Sequence, residues 1–218
     1  MTICLYYKQM SQPSDKRLYQ IALTKIAGVG DIIGRNLLQL MGGDAEAIFN
    51  TDRKTLINKG VYARIADEIL KKEVLLSAEK ELNFIDKNNL SFYFIADDDY
   101  PARLKECSDA PLALYFKGKA DFNSEKVISI VGTRQSTAYG NKFCDTFLEE
   151  ISANLPGTLI ISGLAYGIDI NAHRAALKYN LPTIGVLAHG LDIIYPSQHR
   201  QTAVEMLTNG GLLTEFPN

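Results

Sequence analysis

Cysteine is scarce in this chain, and its spacing carries no framework. Cys4, Cys107 and Cys144 lie far apart and are odd in number among 218 residues. Neither a zinc-ligand spacing nor a disulfide pattern follows from them, which suits a reducing compartment. They read as small packing residues. No apolar run is long enough to span a bilayer. The N-terminus lacks the basic, apolar and small-residue order of a secretion signal, so a cytoplasmic location and no membrane partner are expected. An excess of either charge is also missing: 23 Lys and Arg against 25 Asp and Glu give a formal net charge of −2. Bulk charge therefore predicts no nucleic-acid binding, and any such binding must use a local patch or backbone N–H groups. There is no internal repeat and no low-complexity segment. Asp97-Asp98-Asp99 matches no calcium loop and reads as a solvated turn, so no metal and no cofactor is expected.

What is present is a change of period along the chain. From Leu18 to Asn88 apolar residues recur at helical spacing. The residues before Leu18 show no such pattern and read as frayed. Ile26-Ala27-Gly28-Val29-Gly30 interrupts the helical pattern. Asp31 is placed to cap the next helix, because its side chain can accept an orphan N–H of the first turn. Gly42-Gly43 ends that helix, and Asp44 and Asp52 open short ones. One longer helix is expected over 62–88, with Ile65, Ile69, Leu75, Leu76, Leu82 and Ile85 on its buried face. The helix–Gly-Val-Gly–helix unit resembles a helix-hairpin-helix, whose turn offers N–H groups to DNA phosphates without reading sequence. Asn58-Lys59-Gly60-Val61-Tyr62-Ala63-Arg64 reads as a degenerate second copy. Packing is the preferred role of this region.

At Leu90 the pattern changes. Ser91–Ile95 and Leu112–Phe116 read as short strands, with a turn and a short helix near 102–107 between them. From Lys126 strand and helix alternate. Strands are expected over 127–131, 158–162, 183–187 and 212–216, and helices over 139–153, 168–179 and 197–209. Alternation with short connections implies a parallel sheet with right-handed crossovers. Pro182 opens its strand, where a missing donor is harmless. The expected organisation is an all-helical domain over 1–88 followed by an α/β domain over 89–218.

The chemistry concentrates where the strands of this alternating region end. Val127-Ile-Ser-Ile-Val-Gly-Thr-Arg134 is an apolar run closed by Gly132, Thr133 and Arg134. Thr158-Leu-Ile-Ile-Ser162 runs into Gly163, Leu164, Ala165, Tyr166 and Gly167. In an open parallel sheet such turns meet at the carboxyl edge, where ligands bind. Glycine lets backbone N–H groups approach an anion, a helix N-terminus adds partial positive charge, and arginine supplies a forked cation suited to phosphate. The site reads as a binder of phosphate, free or in a nucleic-acid backbone. The plain alternative is a strand–helix turn with a surface arginine. The pattern is not a dinucleotide Gly-x-Gly-x-x-Gly, and it is the second turn that favours function.

Asp169 stands at the start of the next helix, where capping is its preferred role and a sugar or base contact the alternative. His173 lies one helical turn on, so the two can hydrogen-bond on one face. A general-base pair is one reading. A structural pair is preferred, since no Ser or Cys nucleophile accompanies it. After the third strand of the alternating region, Asp192 and Tyr195 are either ligand contacts or loop residues that bond backbone donors and pack. His189 is a loop histidine, and His199 falls in the first turn of a helix with no special signal.

Taken together, these segments resemble the DprA/Smf family of DNA-processing proteins of natural transformation. The resemblance covers Tyr100-Pro-Ala-Arg-Leu104, Ala110-Pro-Leu-Ala-Leu-Tyr-Phe-Lys-Gly118, Ile130-Val-Gly-Thr-Arg134 and Tyr139-Gly140. It continues through Ser162-Gly-Leu-Ala-Tyr-Gly-Ile-Asp169, Ala172-His173, Ala176-Leu177, Gly190-Leu-Asp192, Tyr195-Pro196 and Thr214-Glu-Phe-Pro217. It implies an α/β, Rossmann-like, mostly parallel sheet preceded by a small helical domain. It also implies sequence-independent binding of single-stranded DNA, loading of a RecA-type recombinase in recombination, a homodimer at full length, and no catalytic turnover. Gly132, Thr133 and Arg134 would contact DNA phosphates, with Gly163 to Gly167 completing the pocket. Tyr166 stands where the family usually has arginine and can instead stack on a base.

The family pattern continues beyond Asn218 into a Phe-Pro-x-Arg-Asn-Arg segment, so the chain resembles a truncated or partial member. A sheet that stops at its fourth alternating strand is expected to leave an apolar edge and face uncovered. The rival is a Rossmann-type enzyme such as a nucleoside-monophosphate phosphoribohydrolase, whose Pro-Gly-Gly-x-Gly-Thr-x-x-Glu signature is missing. A poorly folding remnant is the third possibility.

Overall fold

The fold comes from a computed structural model, which describes residues 15–217. The frayed reading of the N-terminal residues and the packing reading of Cys4 lie outside the described residues. The chain divides into two compact units, parting between Leu82 and Asn83.

Among its described residues the first unit is entirely helical. It holds α1 (Lys16–Thr24), α2 (Asp31–Leu40), α3 (Ala45–Asn50), α4 (Arg53–Asn58), α5 (Ala63–Ile69) and the start of α6 (Lys72–Asn88). Asp44 and Asp52 each accept two backbone N–H groups of the turn that follows them. This is the bond that makes aspartate a good cap. Asp31 departs from its expected role. Gly30 is the N-cap of α2, and Asp31 is its first helical residue. There its charge still faces the positive end of the helix dipole.

The expected 62–88 helix is broken at Leu70 and Lys71. The buried positions explain the break. Ile65 and Ile69 bury one stripe, and Val74, Ala78, Glu81 and Ile85 bury another. The step from Ile69 to Val74 is out of phase with a continuous helix, and the break restores the phase. Leu76 points outward and is 56% exposed. Glu81 is buried and paired with Lys25 at 3.3 Å. Both glycine turns bury a valine, Val29 and Val61.

The second unit carries β1 (Ser91–Phe94), α7 (Ala102–Lys105), β2 (Ala113–Lys119), β3 (Val127–Ser129), α8 (Ala138–Asn154), β4 (Leu159–Gly163), α9 (Ile168–Lys178), β5 (Thr183–Leu187), a 3-10 turn (Ser197–His199), α10 (Arg200–Met206) and β6 (Gly210–Thr214). The sheet order is β1-β2-β6-β5-β4-β3. Strands β3 to β6 are parallel, while β1 and β2 join antiparallel beside β6. The unit is therefore α/β with a mostly parallel sheet.

Helices α8, α9 and α10 pack side by side on one face. Leu148 of α8 and Ala172, Ala175 and Ala176 of α9 close over Ile160 and Leu181. Ala203 and Met206 of α10 close over Leu187 and Leu212. Full burial of an aliphatic side chain such as Leu148 stabilises by about 1.5–3 kcal/mol. The alanines let α9 sit close to the strands. By the alternation of strand residues, Ile161, Val186 and Leu213 project from the opposite face. With Leu104 and Phe122 they line an apolar groove of about 710 Å³.

Tyr100 is buried and donates to the Pro111 carbonyl at 2.7 Å. Arg103 donates to the Ser124 and Glu125 carbonyls. This part of the sequence pattern thus holds the connection between β2 and β3. Cys144 is a buried packing residue as expected, but Cys107 is exposed, because it follows the surface helix α7.

Candidate functional site

Parallel strands place their following turns at one sheet edge, and here the turns after β3 and β4 touch. Ile168 N–H donates to the Thr133 carbonyl at 3.1 Å. Gly167, at φ +80°, lies so close that an added Cβ would stand 2.1 Å from Thr133 O. A Cβ on Gly132 would in turn meet Ile168 at 2.6 Å. Glycine is therefore required at Gly167 by conformation and contact together, and at Gly132 by contact.

The first turn is open. Gly132, Thr133 and Arg134 are all exposed. Thr133 Oγ1 accepts from Gln135 N–H, and Thr137 caps α8 by accepting from Gly140 N–H. No carboxylate among the described residues pairs with Arg134. Arg134 lines a pocket of about 320 Å³. Gly163, Leu164, Ala165, Tyr166, His189 and Tyr195 also line that pocket.

The second turn is pinned from below. His173 is fully buried, with Nε2 2.7 Å from the Gly163 carbonyl and Nδ1 2.7 Å from Thr183 Oγ1. A carbonyl only accepts, so Nε2 carries the proton and Nδ1 accepts from the threonine hydroxyl. Burial pushes this imidazole down to about 4, against the opposing effects of its bond to Gly163 and the charge of Asp169. His199, also buried, donates from Nδ1 to the Leu164 carbonyl at 2.8 Å. The Tyr166 ring meets the His199 ring edge-on at 4.9 Å, and its hydroxyl donates to Gln198 Oε1 at 2.9 Å. Ser162 joins the two strand ends by donating to the Ile130 carbonyl at 2.7 Å.

Several sequence expectations change here. Asp169 does not cap α9: Gly167 is the N-cap, with no side-chain bond, and Asp169 lies buried within the first turn. Its carboxylate rests against Gly163, where a Cβ would meet Oδ2 at 2.5 Å. Oδ1 is buried without a hydrogen-bond partner among the described residues. Asp169 and His173 do not bond to each other, because both ring nitrogens of His173 are engaged elsewhere.

Arg134, Gly163, Leu164, Ala165, Tyr166 and Tyr195 are brought together around one pocket. Gly132, Thr133 and Gly167 form the joint between the turns, and Asp192 is exposed outside the lining. His199 is the residue that sequence reasoning missed. It lies in the 3-10 turn before α10, and no local pattern links it to Leu164. His189 Nδ1 bonds the Gly190 carbonyl, leaving Nε2 buried without a partner among the described residues.

Comparison with known proteins places these features. Residues 91–218 match the family model described as DNA recombination-mediator protein A. Protein Smf of Synechocystis sp. is 30% identical over 214 residues, covering 94% of this chain and 52% of that protein. DNA processing protein DprA of Bacillus subtilis is 41% identical over 124 residues, covering 56% of this chain and 41% of that protein. The chain thus spans about half or less of the length of these curated relatives. The X-ray structure of DNA processing protein A from Streptococcus pneumoniae superposes with a TM-score of 0.64 at 25% identity, covering 92% of this chain and 68% of that one. DNA processing protein A of Helicobacter pylori, described for its single-stranded DNA binding mode, superposes with a TM-score of 0.51 at 30% identity, over 59% of this chain and 56% of that one. The matched span contains the turns after β3 and β4 and every strand of the sheet, and the chain belongs to the DNA recombination-mediator protein A family.

Proposed function

We propose that this chain binds single-stranded DNA through its sugar–phosphate backbone at the joined glycine turns, as a DNA-processing protein of recombination and natural transformation. The observation that carries the reading is Arg134, exposed and without a carboxylate partner among the described residues, lining one pocket with Gly163, Leu164, Ala165 and Tyr166. A fixed fork of N–H donors next to backbone amides suits phosphate and carries no sequence information. The half-exposed ring of Tyr166 and the exposed ring of Tyr195 line the same pocket and offer stacking surfaces for bases. The single-strand binding mode described for the Helicobacter pylori relative supports the same reading. The same proposal has the protein act as a homodimer and assist loading of a RecA-type recombinase, protecting the strand meanwhile.

Binding without turnover is the second part of the proposal. A histidine acting as general base needs a free ring nitrogen within reach of a substrate. His173 has neither exposure nor a free ring nitrogen. No hydrolysis of AMP is expected, and release of free base at a rate abolished by Asp169→Asn would overturn this part. The binding part is tested with a labelled oligothymidylate, single against double stranded, across a salt series. Preference for the single strand with a negative salt dependence is expected, and equal or absent binding would overturn it.

A further inference from the structure

One side-chain amide near the start of α9 serves three segments at once. Asn171 Nδ2 donates to Asn141 Oδ1 on α8 at 2.7 Å, to the Gly167 carbonyl at 2.8 Å and to Ser136 Oγ at 3.3 Å. A side-chain amide nitrogen has two hydrogens, so the long bond to Ser136 shares one with a shorter bond. The neighbours fix which way the amide points. Turned over, it would set its own oxygen against the Gly167 carbonyl, which only accepts. The platform is firm, because the adjoining Ala172 is buried in the core of the unit.

These bonds close one end of the loop that carries Arg134. At the other end, Ile168 N–H holds the Thr133 carbonyl at 3.1 Å. Only Arg134 and Gln135 lie between the two anchors. The Arg134 backbone also rests on Gly167, where an added Cβ would stand 2.7 Å from Arg134 C. The backbone is thus held while the guanidinium has no ion pair among the described residues.

We infer that Asn171 is a positioning residue, which pins the Ser136 end of the Arg134 loop and the start of α8 to the Gly167 carbonyl, so that Arg134 meets a backbone phosphate from a loop already ordered. The inference rests on the phosphate reading of Arg134 given above. Asn171 acts through Arg134 and adds no charge of its own. Without the pin the loop would be ordered only as the strand binds, and that ordering costs affinity.

The test uses the whole chain, with 15N relaxation of the free protein and oligothymidylate binding as separate readouts. In the unmodified protein the Gln135 and Ser136 amides should be as ordered as those of α9. Asn171→Ala should lower their order and weaken oligothymidylate binding about fivefold, with the salt slope unchanged because no cation is lost. Asn171→Ser keeps a donor for the Gly167 carbonyl, one helical turn back, but is too short for Asn141 and Ser136, so it should behave as the alanine variant does. In an Arg134→Ala background, Asn171→Ala should cost no further affinity, whereas a merely structural role would add its loss to that of Arg134. A disordered loop in the unmodified protein, unchanged loop order or affinity in folded Asn171→Ala, full recovery in Asn171→Ser, or additive losses would each overturn the pin and leave the DNA reading standing. If the unmodified chain does not bind oligothymidylate, the DNA reading fails and loop order alone decides the pin. Should Asn171→Ala not fold, Asn141→Ala removes the same bond from an exposed position on α8, and unchanged loop order there overturns the pin.

Discussion

The turns after β3 and β4 sit at the same sheet edge and are both rich in glycine, yet they are built in opposite ways. The first is exposed, bonded locally through Thr133, and carries the exposed Arg134. The second is backed by two buried histidines, a buried carboxylate and an edge-on aromatic pair. On the phosphate reading proposed above, one would supply charge and the other geometry. Charge needs little support, because a long side chain adapts to its anion. Backbone donors need a fixed frame, because a small rotation of the peptide spoils their aim. The contrast predicts that damage to the second turn will show in stability, and damage to the first in binding alone.

The largest effect should come from the joint itself. Gly167→Ala places a Cβ at a left-handed φ and against Thr133 O. We expect a loss of about 3 kcal/mol or more, read by urea unfolding. A stable, tightly binding variant would show that the turns are not locked together. Next is the pH dependence of the second turn. The folded protein holds His173 neutral down to about 4, whereas the unfolded chain takes up a proton near 6.5. The unfolded state thus binds more protons between these values, and stability must fall as pH drops from about 6.5 toward 4, by up to about 3 kcal/mol. His173→Leu should flatten that part of the curve, and an unchanged slope would detach His173 from the frame.

Arg134→Ala should act on the other side of the contrast. Melting should stay within about 0.5 kcal/mol of the unmodified chain, while single-strand affinity falls and the salt slope drops by about one. Unchanged affinity and slope in the folded variant would remove Arg134 from the site. The smallest effect is assigned to Tyr166→Phe. It loses one exposed bond to Gln198 and keeps the ring, so stability and binding should both change by less than about 0.5 kcal/mol.

Strand–helix alternation after Lys126 was legible because each apolar run is short, bounded and followed by a turn signal. The pocket residues were legible for the same reason, since topology alone sends them to one edge. The break between α5 and α6 was hidden, because no glycine or proline marks it and only the phase of the buried stripe requires it. The pairing of β2 with β6 was hidden too, because it joins segments far apart in sequence. His199 could not be read at all. Its partner is a backbone carbonyl, which has no side-chain signature, and a buried histidine looks the same in sequence as a surface one. Asp169 misled for a local reason: an acid near a helix start suggests a cap, but Gly167 already begins the helix and the carboxylate turns inward against Gly163.

Surface loops usually tolerate added or deleted residues. The contact between Gly167 and Thr133 withdraws that tolerance from both connections. An extra residue in either loop would carry its glycine out of register with the other, and the neighbouring loop would need a compensating change of its own. In length, though not in position, these two loops behave as part of the core. Diversity at this sheet edge is therefore confined to side chains such as Tyr166, set on a backbone whose course is already decided.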